Sequence, residues 1–328
     1  MLIQNDSLLD NDFQLANKQR MELSSNNKHI PYIKRVWSGF ISNKWAVASF
    51  VVILLIVLFA LFAPIFSPYS STGVRPDETN LSPRIPLLEK IGIFNGYSDA
   101  VSTRYHYFGT DNLGRDIWVR CATGTRLSLY IACLAMLIDL LIGVIYGMIS
   151  GYYGGRVDLA MQRITEVLSI VPTIIVVTLL LVVLKPGLSS IIVAMILTGW
   201  INMSRIIRAQ VLKIKEQEFV MAAYTIGEST VTIILKEILP NLIGPIITTF
   251  MFSIPSAIFL EAFLAFIGLG VPEPYASLGS MINDGFSSAM SYPFMIFFPI
   301  ILLVLLMLSF NLFADGLRDA IDPEINEK

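Results

Sequence analysis

Charged side chains are scarce in this sequence, and metal-binding side chains are scarcer still. Asp, Glu, Lys and Arg make up 15% of the 328 residues, where a soluble domain has about 25%. The chain has two histidines and a net charge of −2, so neither a histidine-built metal centre nor a nucleic-acid partner is expected. The two cysteines, Cys121 and Cys133, give neither a disulfide framework nor a CxxC metal motif.

Motifs of nucleotide-hydrolysing and metal-dependent enzymes are also missing. No glycine is followed directly by lysine, which excludes a phosphate-binding GxxxxGKS/T loop. There is no HExxH motif, and no set of nucleophile, base and orienting residue can be recognised. We therefore expect a chain that is not an enzyme and binds no cofactor or metal itself. Residues 1–30 are mostly polar and contain no apolar core region or small-residue cleavage site, so no removable signal peptide is expected.

Apolar residues, in contrast, are abundant and grouped in long runs. They make up 55% of the chain, and runs of about twenty residues span the roughly 30 Å hydrocarbon layer of a bilayer as helices. The sequence therefore predicts an all-α membrane protein with six transmembrane helices. These are expected at residues 45–66, 127–150, 165–184, 188–207, 242–264 and 294–314.

Positive charge indicates the orientation, because short loops rich in Lys and Arg stay in the cytoplasm. With the N-terminus inside, fifteen of the twenty-three basic residues lie on inner segments, while the segment between the last two spans has none. Both termini are therefore predicted to be cytoplasmic. The expected layout is a cytoplasmic tail with an interfacial helix or plain linker (1–44), the first span (45–66), an extracytoplasmic loop (67–125), a five-span core (126–316) and a cytoplasmic tail (317–328).

The inner loop between the fourth and fifth spans, residues 209–240, is too polar for lipid but is patterned for helix. Glu218 stands at a helix start, Gly227 interrupts the helix, and Ser229 can cap a second helix that ends at Pro240. One interpretation is a surface helix that merely joins two spans. The other is a docking device for a partner protein.

The residue order of this loop resembles that of the permease subunits of ABC importers. Their signature is Glu-Ala-Ala, three residues, Gly, and then a close of apolar residue, Leu and Pro; this sequence has EFVMAAYTIG and later ILPN. The matching residues are Glu218, Ala222, Ala223, Gly227, Leu239 and Pro240. The sequence departs from the family at Tyr224, where Arg is frequent, and at Glu237, where His is frequent.

Further stretches narrow the resemblance to the dipeptide and oligopeptide branch, and to the second of its two permeases. They are FGTDNLGRD (108–116), SGYYGGRVD (150–158), RIIRAQVL (205–212), EAFLAFIGLG (261–270), SLGSMI (277–282) and NLFADGLRDAIDP (311–323). With the loop, they cover most of the chain after the first span.

The resemblance implies a type I ABC importer permease in a bacterial cytoplasmic membrane, paired with a sister permease. Two ATP-binding subunits would dock on the loop and use ATP and magnesium, and an extracytoplasmic binding protein would deliver peptides. Permeases for nickel or metal chelates carry the same signatures, so the cargo stays open. A self-sufficient secondary transporter is the alternative from another class. It would need charge pairs within the membrane and no docking loop.

Ionisable residues in apolar runs are functional candidates because burying them in a membrane is costly. Asp139 has no partner nearby in sequence and is expected to face the pathway or the sister subunit. Glu261 precedes the Gly- and Pro-bearing stretch 267–293, a predicted re-entrant loop or short helix, and is expected to form a hydrogen-bond hub at the outer gate. Glu166 lies three residues from Arg163, which favours a surface ion pair over a substrate contact.

Two smaller groups complete the candidates. Asp111, Arg115 and Asp116 lie before the second span on the outer side, either as a turn with its own salt bridge or as a surface for a partner. Arg205 and Arg208 flank the inner loop.

Overall fold

The computed structural model describes residues 32–86, 105–185 and 187–321. Helices account for the regular structure of these residues, apart from a bridge between Thr110 and Asp116. In chain order the longer helices are α1 (Tyr32–Ser42), α2 (Lys44–Phe62), α3 (Ile117–Ile138), α4 (Ile145–Tyr153), α5 (Gly155–Ile170), α6 (Thr173–Leu184), α7 (Leu188–Thr198), α8 (Ile201–Ile214), α9 (Glu218–Thr225), α10 (Leu239–Phe266), α11 (Leu278–Phe286) and α12 (Phe294–Ile321). The all-α prediction is confirmed.

Within the described ranges, five helical stretches are long and apolar enough to cross a membrane. They are Lys44–Phe66, Ile117–Tyr153, Leu188–Ile214, Thr230–Phe266 and Phe294–Ile321. Helices α5 and α6 pass the same test together, although they bend by 75° at a short break. The predicted number of six spans is therefore reached when this bent pair is counted as one.

The third span differs from the straight helix predicted at 165–184. Helices α5 and α6 are separated by Val171 and Pro172 and meet at 75°. The residue before a proline avoids helical backbone angles, and Val171 is extended, with φ −83° and ψ 120°. Helix α6 has twelve residues, about 18 Å of helix, which is too short to cross the hydrocarbon layer alone.

The second span begins well before its predicted start, so the last part of the expected outer loop (67–125) is helical from Ile117 onwards. Asp116 caps this helix, because its carboxylate accepts a hydrogen bond from the Val119 amide at 3.0 Å. The polar residue Arg120 makes this stretch resemble a loop in the sequence. In the structure its charge is buried against carboxylates.

The fifth span is continuous with the second loop helix, and the predicted end of that helix at Pro240 is wrong. A helical turn at Thr230–Thr232 leads through a π-helical segment, Ile233–Ile238, into α10, which ends at Phe266. A proline is tolerated in the first turn of a helix, and Pro240 is the second residue of α10. Movement of the loop can therefore reach the fifth span without crossing a linker.

A second π-helical segment, Asp139–Val144, lies between α3 and α4. Gly143, Gly147 and Gly151 follow one another at intervals of four residues and face α8. A Cβ on Gly147 would approach the carbonyl oxygen of Ser204 to 2.6 Å. Glycine thus lets the backbones of the second and fourth spans come into contact, as small residues do between membrane helices.

The predicted interfacial segment, 31–44, contains α1, which packs against the end of α12. The rings of Phe40 and Phe313 lie edge to face, with centroids 5.3 Å apart. Asn43 separates α1 from α2 and caps α2 by accepting a hydrogen bond from the Trp45 amide at 3.0 Å. The helix is confirmed, whereas its location at the membrane surface stays a prediction.

The predicted tails lie largely outside the described residues. These are residues 1–31 of the N-terminal tail and 322–328 of the C-terminal tail. The predicted boundary at residue 316 falls inside α12, which continues to Ile321.

Candidate functional site

Helix α9 lies in the inner loop, 209–240, and has two different faces. Val220 and Ala223 are buried and join a core cluster with residues of the second, fourth and fifth spans. Met221 and Tyr224 are exposed. The helix is therefore anchored in the chain's own core on one side and presents large side chains to the surroundings on the other.

The signature residues of the loop are distributed over both faces. Glu218 begins α9 and is exposed. One turn further on, Ala222 is exposed and Ala223 is buried. Leu239 packs against the same cluster as Ala223, whereas Pro240 is exposed and lines a cavity. The signature thus combines anchoring residues with residues available to a partner.

Gly227 terminates α9 with φ +84°, in the left-handed region. The Glu228 amide donates to the Ala223 carbonyl at 3.1 Å, which closes a glycine cap of the Schellman type. Ser229 then caps the next turn, its hydroxyl oxygen accepting from the Thr232 amide at 3.2 Å. The predicted order of helix, break and capped helix is confirmed. A Cβ on Gly227 would meet nothing within 4 Å. Glycine is therefore required here by the backbone angle and not by a close contact.

A cavity of about 1630 Å³ is lined by parts of α3, α8 and α10. This volume exceeds the roughly 300–1,000 Å³ of a pocket for a drug-sized ligand. Its lining includes Asp139, Asn202, Gln210, Asn241, Thr248, Thr249, Ser253 and Ser256. Arg35 of α1 and Arg318 of α12 also contribute. The cavity therefore offers hydroxyl, amide and charged groups among membrane-spanning helices.

Asp139 lies in the wall of this cavity, at the first residue of the π-helical segment. It is 6% exposed, and Ser253 of α10 lies close to its carboxylate. Sequence reasoning found no neighbour for Asp139 because Ser253 is distant along the chain. Single π-helical turns inside α-helices are frequent at functional sites. The expected pathway role of Asp139 stays a prediction.

Glu261 of α10 is completely buried. Ser128 of α3 donates a hydrogen bond to its Oε2 at 2.8 Å, whereas Oε1 is buried without a hydrogen-bond partner among the described residues. Ser277, directly before α11, lies close to the carboxylate. The carboxylate thus connects α10 to α3, while the predicted hydrogen-bond hub and a role in gating stay predictions.

Asp111, Arg115 and Asp116 form a compact structure at the start of α3. Arg115 Nε donates to Asp111 Oδ2 at 2.6 Å, so the turn contains its own salt bridge, and Arg115 Nη1 donates to Glu273 Oε1 at 3.0 Å. Asp116 Oδ1 lies 2.8 Å from Nδ1 of the buried His106. These bonds fasten the segment after α10 to the start of the second span.

Arg120 is a buried cation that sequence reasoning missed. It is 1% exposed, and its guanidinium lies 3.4 Å from carboxylate oxygens of both Asp111 and Asp284. Burial raises the pKa of Asp284, and the charges of Arg120 and Arg115 oppose this rise. Helix α11, which carries Asp284, is thus attached ionically to α3. The available signal was an arginine one turn after a helix-capping aspartate.

The two arginines that flank the loop lie in α8 and have different partners. Arg205 is exposed and donates to the Ser169 hydroxyl at 2.6 Å. Arg208 donates from Nε and Nη2 to the two carboxylate oxygens of Asp158, each at 2.6 Å. Sequence reasoning missed Asp158, although it closes the SGYYGGRVD stretch, because Arg208 is fifty residues away.

Surface charge on α5, the helix that carries Asp158, behaves as expected. The predicted ion pair between Arg163 and Glu166 is confirmed at 2.8 Å, with both side chains largely exposed. No group of three or more His, Cys, Asp or Glu placed to hold a metal occurs among the residues that the structure describes. The hydroxyl, amide and carboxylate side chains of the cavity can bind a polar solute, and the contacts between spans can transmit movement from one helix to another.

Two family models match the chain. The model of the binding-protein-dependent transport system inner membrane component matches residues 143–327. The model of the N-terminal TM domain of oligopeptide transport permease C matches residues 31–83.

Similar proteins extend over nearly the whole chain. The oligopeptide transport system permease protein OppC of Bacillus subtilis (strain 168) is 46% identical over 288 residues, which is 88% of each chain. The dipeptide transport system permease protein DppC of the same organism is 41% identical and covers 98% of this chain and 95% of its own length. DppC of Lactococcus lactis subsp. cremoris is 39% identical, with coverages of 97% and 99%.

The fold is similar to that of a chain in inward-facing structures of the MetNI methionine ABC transporter. The TM-score is 0.52 at 16% sequence identity, and the match covers 62% of this chain and 96% of that chain. Together with the relatives, this likeness agrees with the permease fold expected from the loop signature. The chain therefore belongs to the binding-protein-dependent transport system inner membrane component family, in the branch of the OppC and DppC permeases, and is a multi-pass protein of the bacterial cytoplasmic membrane.

Proposed function

We propose that this chain is one of two pore-forming subunits of an ATP-driven importer for oligopeptides or dipeptides. It pairs with a sister permease, receives peptides from an extracytoplasmic binding protein and is driven by two ATP-binding subunits. Its identity to oligopeptide and dipeptide permeases, 46% and 41%, supports this cargo. ATP and magnesium are used by the partner subunits, because this sequence has no phosphate-binding loop.

The observation that carries the proposal is the exposed apolar surface of α9 and the residue after its end. Met221, Tyr224 and Ile226 are 60%, 75% and 77% exposed, while Val220 and Ala223 anchor the helix. Clustered apolar groups at a surface mark contacts with other proteins, and a short helix with one free face suits a groove. We assign this surface to the ATP-binding subunits.

The proposed orientation places α9 and both termini in the cytoplasm. The positive-inside pattern supports it, since Arg205, Arg208 and Lys215 all lie at the α8–α9 end. The ionic cluster around Arg115 and Arg120 then lies on the extracytoplasmic side, where the binding protein would dock.

The cavity is proposed as this chain's share of the translocation pathway. A peptide within a membrane needs hydrogen-bond partners for its backbone groups, and the hydroxyl and amide side chains of the lining supply them. Asp139 supplies a carboxylate that suits the ammonium end of a peptide. The sister permease would complete the wall.

Reconstitution tests the proposal. The chain is expressed with its sister permease, the two ATP-binding subunits and the binding protein, and ATP-dependent uptake of a labelled tripeptide into proteoliposomes is measured. We expect uptake only with all components, and no ATP hydrolysis by this chain alone. Uptake that is competed by a nickel chelate but not by peptides would contradict the peptide cargo. Uptake driven by an ion gradient without the ATP-binding subunits would contradict the importer class.

A further inference from the structure

The ion pair between Asp158, in the first turn of α5, and Arg208 of α8 joins the junction between the second span and α5 to the helix that leads into α9. Two parallel hydrogen bonds of 2.6 Å connect the guanidinium to both carboxylate oxygens. The two side chains are 14% and 29% exposed, far less than those of Arg163 and Glu166 in the surface pair of α5. A two-pronged pair of this kind fixes the relative orientation of its partners as well as their distance.

Two further hydrogen bonds hold the junction between α4 and α5. Ser150 Oγ donates to Asp158 Oδ1 at 2.5 Å, and Lys215 Nζ donates to the carbonyl oxygen of Gly151 at 2.9 Å. Arg208 and Lys215 are about two helical turns apart and point to the same side. The end of α8 is therefore attached to the α4–α5 junction at two positions, Arg208 and Lys215.

Backbone packing continues this attachment along the second span. A Cβ on Gly151 would lie 2.9 Å from the Arg208 carbonyl oxygen and 2.7 Å from Val211 Cβ. Helices α4 and α8 are thus in close contact directly beside the ion pair. A shift of α8 along α4 would therefore strain the bonds that Arg208 and Lys215 make to this junction.

The helix at the proposed docking surface rests on this same unit. Val220 and Ala223 of α9 share one core cluster with Met148 of α4 and Val211 of α8. At its other end α4 continues into the π-helical segment that begins at Asp139, in the cavity wall. A continuous set of packed elements therefore leads from α9 to the cavity by way of the second span.

We propose that Asp158 and Arg208 are positioning residues that transmit movement of α9 to the second span and so to the cavity wall. The inference rests on the proposed function, because it takes α9 as the place where the ATP-binding subunits act. The second span then moves together with the fourth and fifth, which are adjacent to the loop in sequence. Breaking the ion pair should leave ATP hydrolysis in place while less of it is converted into peptide uptake.

The test measures peptide uptake and ATP hydrolysis in the same proteoliposomes, with the complete complex and loaded binding protein. Asp158→Asn removes the charge with little change of shape, and Arg208→Lys keeps the charge but cannot form both bonds. In each variant we expect the ratio of uptake to hydrolysis to fall about five- to tenfold, a typical size for coupling between sites. Glu166→Gln is the matched control, since it breaks the exposed pair on the same helix, and should leave the ratio unchanged.

A double variant tests whether the two residues act through each other. Residues that act as a pair give non-additive effects. Asp158→Asn combined with Arg208→Lys should therefore lower the ratio no further than either substitution alone.

Three results would overturn the inference. The first is a ratio of uptake to hydrolysis for Asp158→Asn equal to that of Glu166→Gln. The second is additive effects in the double variant. The third is failure of both Asp158→Asn and Arg208→Lys to assemble, which would assign the pair to folding. A purely structural weakening would lower assembly, hydrolysis and uptake together and leave their ratio unchanged. Absence of ATP-dependent uptake by the wild-type complex would instead contradict the proposed function.

Discussion

Replacing Gly147 with alanine tests the close packing of the second and fourth spans. The added Cβ would lie 2.6 Å from the Ser204 carbonyl oxygen and 3.1 Å from the Arg208 amide nitrogen, whereas ordinary contact begins at 3.4 Å. Both are backbone atoms, so no side-chain rotation can relieve the overlap. Helices α4 and α8 must therefore separate.

The expected loss of stability follows from two opposing effects. Overpacking costs about 1–3 kcal/mol, and contact with backbone places this case near the upper end. Alanine favours a helix over glycine by about 1 kcal/mol, which acts in the opposite direction. The net destabilisation is about 2 kcal/mol, which lowers the unfolding midpoint of a chain of 328 residues by about 3 °C.

Thermal unfolding of the complex in detergent, followed by tryptophan fluorescence, measures this shift. Gly73→Ala is the matched control, because its added Cβ would come no closer than 3.5 Å to any neighbour. Its midpoint should remain that of the wild type. Equal midpoints for Gly147→Ala and Gly73→Ala would refute the argument from backbone contact.

Three further substitutions test the other assignments. Asp139→Asn should change the uptake rate or the cargo preference in reconstituted vesicles at normal complex yield; a lower yield with unchanged uptake per complex would place Asp139 at the sister-permease interface, and no change at all would exclude both roles. Gly227→Leu should lower uptake per assembled complex, because a side chain in the left-handed region costs about 1–2 kcal/mol, and Gly227→Asn should lower it less. Unchanged uptake with Gly227→Leu would argue against α9 as the helix that couples hydrolysis to transport. Arg120→Ala should cost about 1–3 kcal/mol in unfolding experiments, because it removes a buried cation from Asp111 and Asp284 while Arg115 stays near both, whereas Arg163→Ala should cost less than about 1 kcal/mol. Similar losses for the two variants would show that the Arg120 cluster contributes no more than a surface ion pair.

Hydropathy was sufficient to predict the spans, because a run of about twenty apolar residues has few alternatives to crossing a bilayer. It failed where local composition and structure disagree. Arg120 made the start of the second span look polar, since its partner Asp284 is remote in sequence. Pro240 looked like a helix end, since nothing in the sequence indicates the π-helical segment before it.

The loop was predictable for a different reason. Gly227 and Ser229 act on their immediate neighbours, so a cap and a break can be read from a few consecutive residues. Asp158 and Ser128 were missed because their partners, Arg208 and Glu261, come from other helices, and only the packed structure brings them together. Sequence reasoning thus found local signals and missed the contacts between spans.

The π-helical segment Asp139–Val144 makes the length of the second span important as well as its apolarity. Each residue of an α-helix rotates the following chain by about 100°. At the first residue of the segment Asp139 faces the cavity, and beyond its last residue Gly147 and Gly151 face α8. Deleting one residue within it would turn these two halves out of phase, so either the acid or the glycine row would point into the wrong neighbour. The span is therefore expected to accept many apolar exchanges but no change in residue number between Asp139 and Gly147.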